Sequence, residues 1–434
     1  ITKVITLKKA TNSYPQEISG EPLKEVSSGI FNGGRYKRVY VSNPKHGYKF
    51  LSSSDILAAD LESVKMVSKR YMGGVKELAL EKGWILITRS GTIGKTAFAN
   101  AKHAQKLASE HVIRLVPNNI LRQGYIYAYL ASKPGYSLLT QGTFGAVIQH
   151  IEPAFVASLP IPVLPEAFQQ EVDNLIQESA RLREEATDAL DKAHALLHSA
   201  FNNKDANLKS VSIRKIYAAH NQRFEATYYS SNNRSIYDSI IEQFEFMRLK
   251  DLCSRIFRPG IFKRQYVSEG GITFLGGADI LNAIPSSYKQ LSKPQVNRMP
   301  ELMPEQGTIL VTCGGTIGNI VYVDNQLSTC AVSQHVMRLV LNGAVPNGYL
   351  YAFLSSDIGK KLINLFAFGS VIPQVEAHHL ELVPVPMLDN ETMNRIDALC
   401  MQYVSCNELA KENERKAISM VEEEIESWTT SKKN

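Results

Sequence analysis

The 434-residue sequence holds only five cysteines, Cys253, Cys313, Cys330, Cys400 and Cys406, with no CxxC pair and no His-rich ligand spacing beside them. Neither a disulfide framework nor a zinc site is supported by that pattern. No stretch approaches the roughly 18 consecutive apolar residues of a membrane-spanning helix. The opening residues, from Ile1-Thr2-Lys3 onward, lack the charged, apolar, small order of a secretory signal, so a cytoplasmic protein is expected. Also missing are a GxGxxG cofactor fingerprint, an Asn-Pro-Pro-Tyr or Asp-Pro-Pro-Tyr amino-methyltransferase motif, a nuclease-type carboxylate cluster and a nucleophile elbow. These absences point to a binding protein with no catalytic, cofactor-binding or metal-binding residues of its own.

What is present suits a globular protein: 44% hydrophobic and 21% charged residues supply both core and surface. The length exceeds what a single core usually organises, so two or more domains are expected. A formal net charge of +6 fits an anionic partner without demanding one.

The organising feature is a repeat. WILITRSGTIGK at 84–95 is answered by TILVTCGGTIGN at 308–319, an offset of 224 residues. At the same offset EHVIRLV (110–116) matches QHVMRLV (334–340), and GYIYAYL (124–130) matches GYLYAFL (348–354). FGAVI (144–148) likewise matches FGSVI (368–372), and LPIP (159–162) matches VPVP (383–386). RYKRVYV (35–41) resembles IFKRQYV (261–267) at offset 226, a two-residue indel.

After each Pro-x-Pro the chain turns polar and Ala/Glu-rich. Phe168, Val172, Leu175, Ser179, Leu182, Ala186, Ala189, Ala193, Leu196 and Ala200 alternate spacings of four and three, the seam of a coiled coil. Ile396, Leu399, Tyr403, Cys406, Ala410, Asn413, Ala417 and Met420 repeat it. Before each Pro-x-Pro, short alternating strands around Gly-rich turns and short helices predict an α+β globular domain. The expected layout is a domain over 1–164, a spacer helix over 165–200, a second domain with its lead-in over 201–388, and a second helix with tail over 389–434. Ala-rich helices of this kind bury their seams against each other or a partner, and an antiparallel pair is expected.

Ser90-Gly-Thr-Ile-Gly-Lys-Thr96 looks like a phosphate loop, but Arg89 stands where glycine is required and Asn319 replaces Lys95 in the sister copy. A tight turn with positive-φ glycines between two strands accounts for it better. Such a turn would present Thr88, Arg89, Ser90, Thr92 and Lys95 toward DNA in one copy, and Thr312, Cys313, Gly314, Thr316 and Asn319 in the other. Framework residues persist between copies while polar tips change, which is what two readers of different sequences need. Arg35, Lys37 and Arg38, with Lys263 and Arg264, are candidates for phosphate contact, competing with a plain solvated strand edge. Gln149 and Gln374, near corresponding turns, suit adenine pairing or backbone capping. His111 with Arg114 and His335 with Arg338 invite a catalytic reading, but a satisfied structural role fits a Val/Ile/Leu strand better.

A variable globular domain carrying Gly-Thr-Ile-Gly, a Pro-x-Pro exit and a long polar helix, all written twice, resembles the specificity subunit of type I restriction-modification systems, often called HsdS. Gln222-Arg-Phe-Glu-Ala-Thr-Tyr-Tyr229 is similar to that family's lead-in to its second recognition domain; the first copy has no obvious counterpart. The resemblance implies two tandem target-recognition domains, each reading half of a split double-stranded DNA target, on two helices that also dock two methyltransferase subunits and motor-nuclease subunits. S-adenosylmethionine, ATP and Mg²⁺ would then belong to those partners. A helix over 165–200 would be on the order of 54 Å long, an upper limit of roughly 16 base pairs at about 3.4 Å each. Inward-tilted domains would reach half-sites about one helical turn apart. A duplicated scaffold that binds RNA or protein is the rival from another class, and a self-contained enzyme using the His-Arg pairs is a third.

Overall fold

The computed structural model describes residues 20–142, 150–201, 212–218, 228–229, 232–369 and 373–430. Gln149, residues 144–148, residues 370–372 and all of the 222–229 segment but its two tyrosines lie outside them. Contacts divide the chain into two units, residues 1–185 with 409–434, and residues 186–408. The long helices, Glu166–Ala200 and Asn390–Thr430, are therefore each shared between units. Among the described residues no helix is long and apolar enough to cross a membrane.

In the first unit, β2 (Ser27–Asn32), β9 (Val112–Pro117), β6 (Ile85–Thr88) and β7 (Thr96–Phe98) form one antiparallel sheet in the order β2-β9-β6-β7. Branched apolar side chains fill β6 and the first part of β9, as befits strands covered on both faces. A second sheet has the order β3-β5-β4-β8, from Tyr40–Val41, Met66–Ser68, Gly47–Leu51 and Leu107–Ala108. A third, two-stranded ladder joins β1 (Gly20–Pro22) to β10 (Pro160–Pro162). Prolines are tolerated there because a two-stranded ladder is all edge.

The second unit repeats this arrangement in the orders β12-β19-β16-β17, β13-β15-β14-β18 and β11-β20. Its strands are β11 (Phe246–Arg248), β12 (Cys253–Phe257), β13 (Tyr266–Val267), β14 (Ile272–Leu275), β15 (Gln290–Leu291), β16 (Ile309–Thr312), β17 (Ile320–Tyr322), β18 (Ala331–Val332), β19 (Val336–Leu341) and β20 (Pro384–Pro386). Hydrogen bonds repeat as well as strands. The Tyr125 hydroxyl donates to Pro162 O at 2.7 Å and that of Tyr349 to Pro386 O at 2.5 Å. Glu184 accepts the Ala101 amide and Glu408 the Asn325 amide, both at 2.8 Å. Asp173 and Asp397 accept the amides of Gly124 and Gly348, both at 2.7 Å.

Each unit's core is closed by both long helices. In the first, Ile85, Ile113 and Tyr125 pack with Val172 and Ile176 from the start of the first helix and with Val421 and Ile425 from the end of the second. In the second, Val311, Met337 and Tyr349 pack with Ala193 and Leu197 from the end of the first helix and Ile396 and Cys400 from the start of the second. Early residues of one helix thus meet late residues of the other, an antiparallel pairing. The buried stripe departs from the expected seam at its far ends. Ile176, Leu197, Cys400 and Val421 are buried where the heptad reading expected Leu175, Leu196, Leu399 and Met420, because these four pack into the units' own cores.

Asp397→Ala leaves the Gly348 amide without its acceptor. Loss of about 1–3 kcal/mol of stability in the second unit is expected, read by urea denaturation followed by circular dichroism.

Candidate nucleic-acid interface

In both units the Gly-Thr-Ile-Gly segment is a tight turn between the central strand, β6 or β16, and its edge neighbour. Gly91 and Gly94 adopt φ of +80° and +76°, and Gly315 and Gly318 +77° and +81°, a region open to glycine and strained for other residues. A Cβ on Gly94 would also meet Thr140 at 3.1 Å, so Gly94→Ala should cost about 1–3 kcal/mol, measured as a lowered melting temperature.

Thr88 and Thr312 depart from the expectation that they face outward. Both are buried, because the turn's own polar backbone needs partners. Thr88 Oγ1 donates to Thr92 O and accepts the Lys95 amide at 2.9 Å, and Thr312 donates to Thr316 O at 2.7 Å and accepts the Asn319 amide at 3.0 Å. Thr92 and Thr316 are the exposed tips. Lys95 is half-buried with its ammonium over the Tyr136 ring at 5.3 Å, while Asn319 is half-buried at the matching place.

Around the first turn the fold collects residues that are remote in sequence. The Ser90 hydroxyl is buried and bonds His111 Nδ1 at 2.8 Å, His111 stacks with His150 at 6.4 Å, and Arg89 pairs with Glu152. Burial holds the His111 imidazole below its ordinary pKa; Glu110 opposes this and Arg38, Arg89 and His150 reinforce it. His111 is therefore a neutral hydrogen-bonding group near pH 7. Arg38 stacks on Phe50 at 5.0 Å and pairs with Glu110.

The second turn has the same scaffold and different groups. Gly314 takes the place of Ser90, and it bridges to Gln374 as Ser90 bridges to His150. The register counterpart of Gln374 is thus His150; Gln149 itself lies outside the described residues. His335 and Gln374 are exposed. Arg264 stacks on Phe274 at 5.2 Å but meets the neutral amide of Gln334 at 3.4 Å where Arg38 meets a carboxylate. Its charge is consequently not cancelled as that of Arg38 is. Cys313 replaces Arg89 and is buried, which raises its thiol pKa.

A basic strip runs over the second four-stranded sheet of the first unit. Arg35 and Lys37 are exposed on the lead-in to β3. Lys65, Lys69 and Arg70 lie over Tyr40, Tyr48 and Tyr71 at 5.5, 5.5 and 5.3 Å, and Lys45, His46, Ser68, Lys69 and Arg70 line a shallow concavity. In the second unit Lys263 and Arg264 are exposed, and Gln295 fixes their backbone by donating to Lys263 O and accepting the Gln265 amide, both at 2.8 Å. Cations held by aromatic faces at a surface are suited to phosphate contact.

The His-Arg pairs separate in the structure. Arg114 and Arg338 are fully buried and donate only to backbone carbonyls, so neither reaches a ligand beside His111 or His335. No cluster of His, Cys, Asp or Glu among the described residues is arranged to hold a metal ion.

A family model described as the type I restriction modification DNA specificity domain matches this sequence twice, over residues 22–178 and 241–418. Among solved structures the chain is similar to the S subunit of a type I restriction-modification system from M. genitalium, at 13% identity over 98% of each chain and a TM-score of 0.36. It is also similar to the HsdS subunit from Thermoanaerobacter tengcongensis, at 13% identity over 94% of this chain and 96% of that one, TM-score 0.30. No curated protein matches the sequence significantly.

Proposed function

Because the chain belongs to the type I restriction modification DNA specificity family, whose model covers both of its halves, we propose that it reads a bipartite, asymmetric duplex target, one half-site per domain. It contributes no catalytic group. Two methyltransferase subunits dock on the long helices, and restriction subunits join them where present. S-adenosylmethionine, ATP and Mg²⁺ are bound by those partners, and the complex works in the cytoplasm.

One observation carries this reading. Two turns with the same glycine geometry and the same internal threonine bonds are ringed by different donors and acceptors, Ser90, His111 and His150 against Gly314, His335 and Gln374. Base pairs are distinguished in the major groove by the pattern of donors and acceptors offered to them, so a constant frame with altered groups is a means of reading two sequences.

Footprinting of the chain with its methyltransferase should show two protected tracts separated by bases whose identity is free. A single continuous recognition sequence contradicts the proposal. Lys69→Gln with Arg70→Gln should weaken binding about equally on all sequences and flatten the dependence of log K on log salt by up to about 2, since each phosphate contact contributes about 0.9. Equilibrium titration at several salt concentrations measures this.

A further inference from the structure

Glu152 and Glu376 occupy equivalent positions, each immediately before a short helix, Pro153–Ser158 or Ala377–Leu380. Each forms an ion pair with an arginine at the main sheet. The arginines, however, are not equivalent. In the first unit it is Arg89, which opens the turn after β6. In the second that position is the buried Cys313, and the guanidinium comes from Arg258 just beyond β12, donating to Glu376 Oε1 at 2.7 Å. β2 and β12 pair with β9 and β19 so that Phe31 faces Arg114 and Phe257 faces Arg338, which aligns Arg258 with Asn32. The acid has stayed in place and its base has moved to another strand.

Stabilisation alone accounts poorly for this. Partly exposed ion pairs contribute little, and the side chains here are 19% and 44% exposed in the first pair and 36% and 27% in the second. What each pair does achieve is to fix a planar five-donor fork through one nitrogen, Nη2, beside the exposed turn. Arg89 Nε is itself buried and has no hydrogen-bond partner among the described residues, so it is not among the donors that a base could meet. A guanidinium held through Nη2 keeps Nη1 and the second Nη2 hydrogen for bidentate contact with O6 and N7 of guanine. Moving the arginine from the turn to the sheet edge changes which base pair the fork can reach while keeping its buttress.

We infer that Arg89 and Arg258 each read a guanine in their own half-site, and that Glu152 and Glu376 are positioning residues that orient them. The inference rests on the proposal that this face reads DNA. Its test is methylation mapping with the chain co-expressed with its cognate methyltransferase, as wild type and as Arg89→Lys, Arg258→Lys and Glu152→Gln. Lysine keeps the charge and the ion pair but loses the fork. Arg89→Lys should relax discrimination at one G·C position of one half-site by about ten- to hundredfold and leave the other half unchanged. Arg258→Lys should do the same to the other half, and Glu152→Gln should relax the position that Arg89 reads. Unchanged motifs alongside lowered melting temperatures would show the pairs to be fasteners and overturn the inference, as would a wild-type motif with no G·C pair in one half. A wild-type complex that is active but methylates no bipartite motif would instead remove the DNA-reading role beneath it.

Discussion

Arg338→Met should unfold the second unit under conditions where the first remains intact, and Arg114→Met should do the reverse. Each guanidinium is sealed in the core and donates to four backbone carbonyls: Ser109, Val112, Leu78 and Ala108 for Arg114, and Ser333, Val336, Leu302 and Val332 for Arg338. These carbonyls come from loops and strand ends that converge on the main sheet, so one side chain satisfies a junction that regular ladders cannot. Methionine fills the space but donates nothing. With buried acceptors left unpaired, a loss of about 3–5 kcal/mol is expected, a large share of the about 5–15 kcal/mol typical of a folded domain. Burial lowers both guanidinium pKa values to about 10. Folded and unfolded forms are therefore both protonated near pH 7, and the loss should be flat between about pH 6 and 8. The two tryptophans, Trp84 and Trp428, both belong to the first unit. Tryptophan fluorescence should therefore report the Arg114→Met transition and miss that of Arg338→Met, which circular dichroism detects. Coincident, unshifted melting of both variants would contradict this account.

Acid should weaken the first unit more than the second, through His103. This imidazole is buried, its Nδ1 accepting the Asn100 amide at 3.3 Å and its Nε2 donating to Ile56 O at 3.3 Å, and burial depresses its pKa to about 4. The unfolded chain takes up its proton near the ordinary value of about 6.5. Between those two values the unfolded state binds a proton that the folded state does not, so stability falls as pH is lowered from about 6.5 to 4. The total is about 3 kcal/mol, at about 1.4 kcal/mol per pH unit. The second unit has Leu327 at the corresponding position, following Asp324 where the first has Asn100. His103→Leu should therefore remove this part of the slope while carboxylate titration remains. The check is urea denaturation followed by tryptophan fluorescence at pH 7, 5.5 and 4.5 for both chains. Parallel pH profiles for wild type and His103→Leu would contradict the assignment.

Much of the fold was legible because it is written twice. The 224-residue register anticipated the paired sheets, the positive-φ turns and the two long helices, down to Asp173 and Asp397 sitting in the same place. The helix seam was legible along the middle of the first helix, whereas at its two ends Ile176 and Leu197 turn into the domain cores in place of Leu175 and Leu196. The candidate interface was less so. Arg258 and Glu376 are 118 residues apart in sequence, and Arg258 has no arginine counterpart in the first copy, so a comparison at fixed register could not pair them. Gln149 drew attention because glutamine suits adenine, yet His150 is the residue that bridges to Ser90. For Thr88 and Thr312 residue type alone cannot distinguish a hydroxyl aimed at a partner from one consumed inside its own turn. The buried arginines did leave a signal: a charge kept in both copies in the middle of a Val/Ile/Leu strand is one that the core itself satisfies.

The most direct test is methylation mapping of genomic DNA from cells expressing this chain with its methyltransferase, once as it stands and once with the first recognition domain exchanged for that of another family member. The account predicts adenine methylation at a bipartite motif, of which the exchange rewrites one half and leaves the other half and the modification chemistry unchanged. Methylation at a continuous motif, or an exchange that alters both halves together, would contradict a chain built of two independent readers.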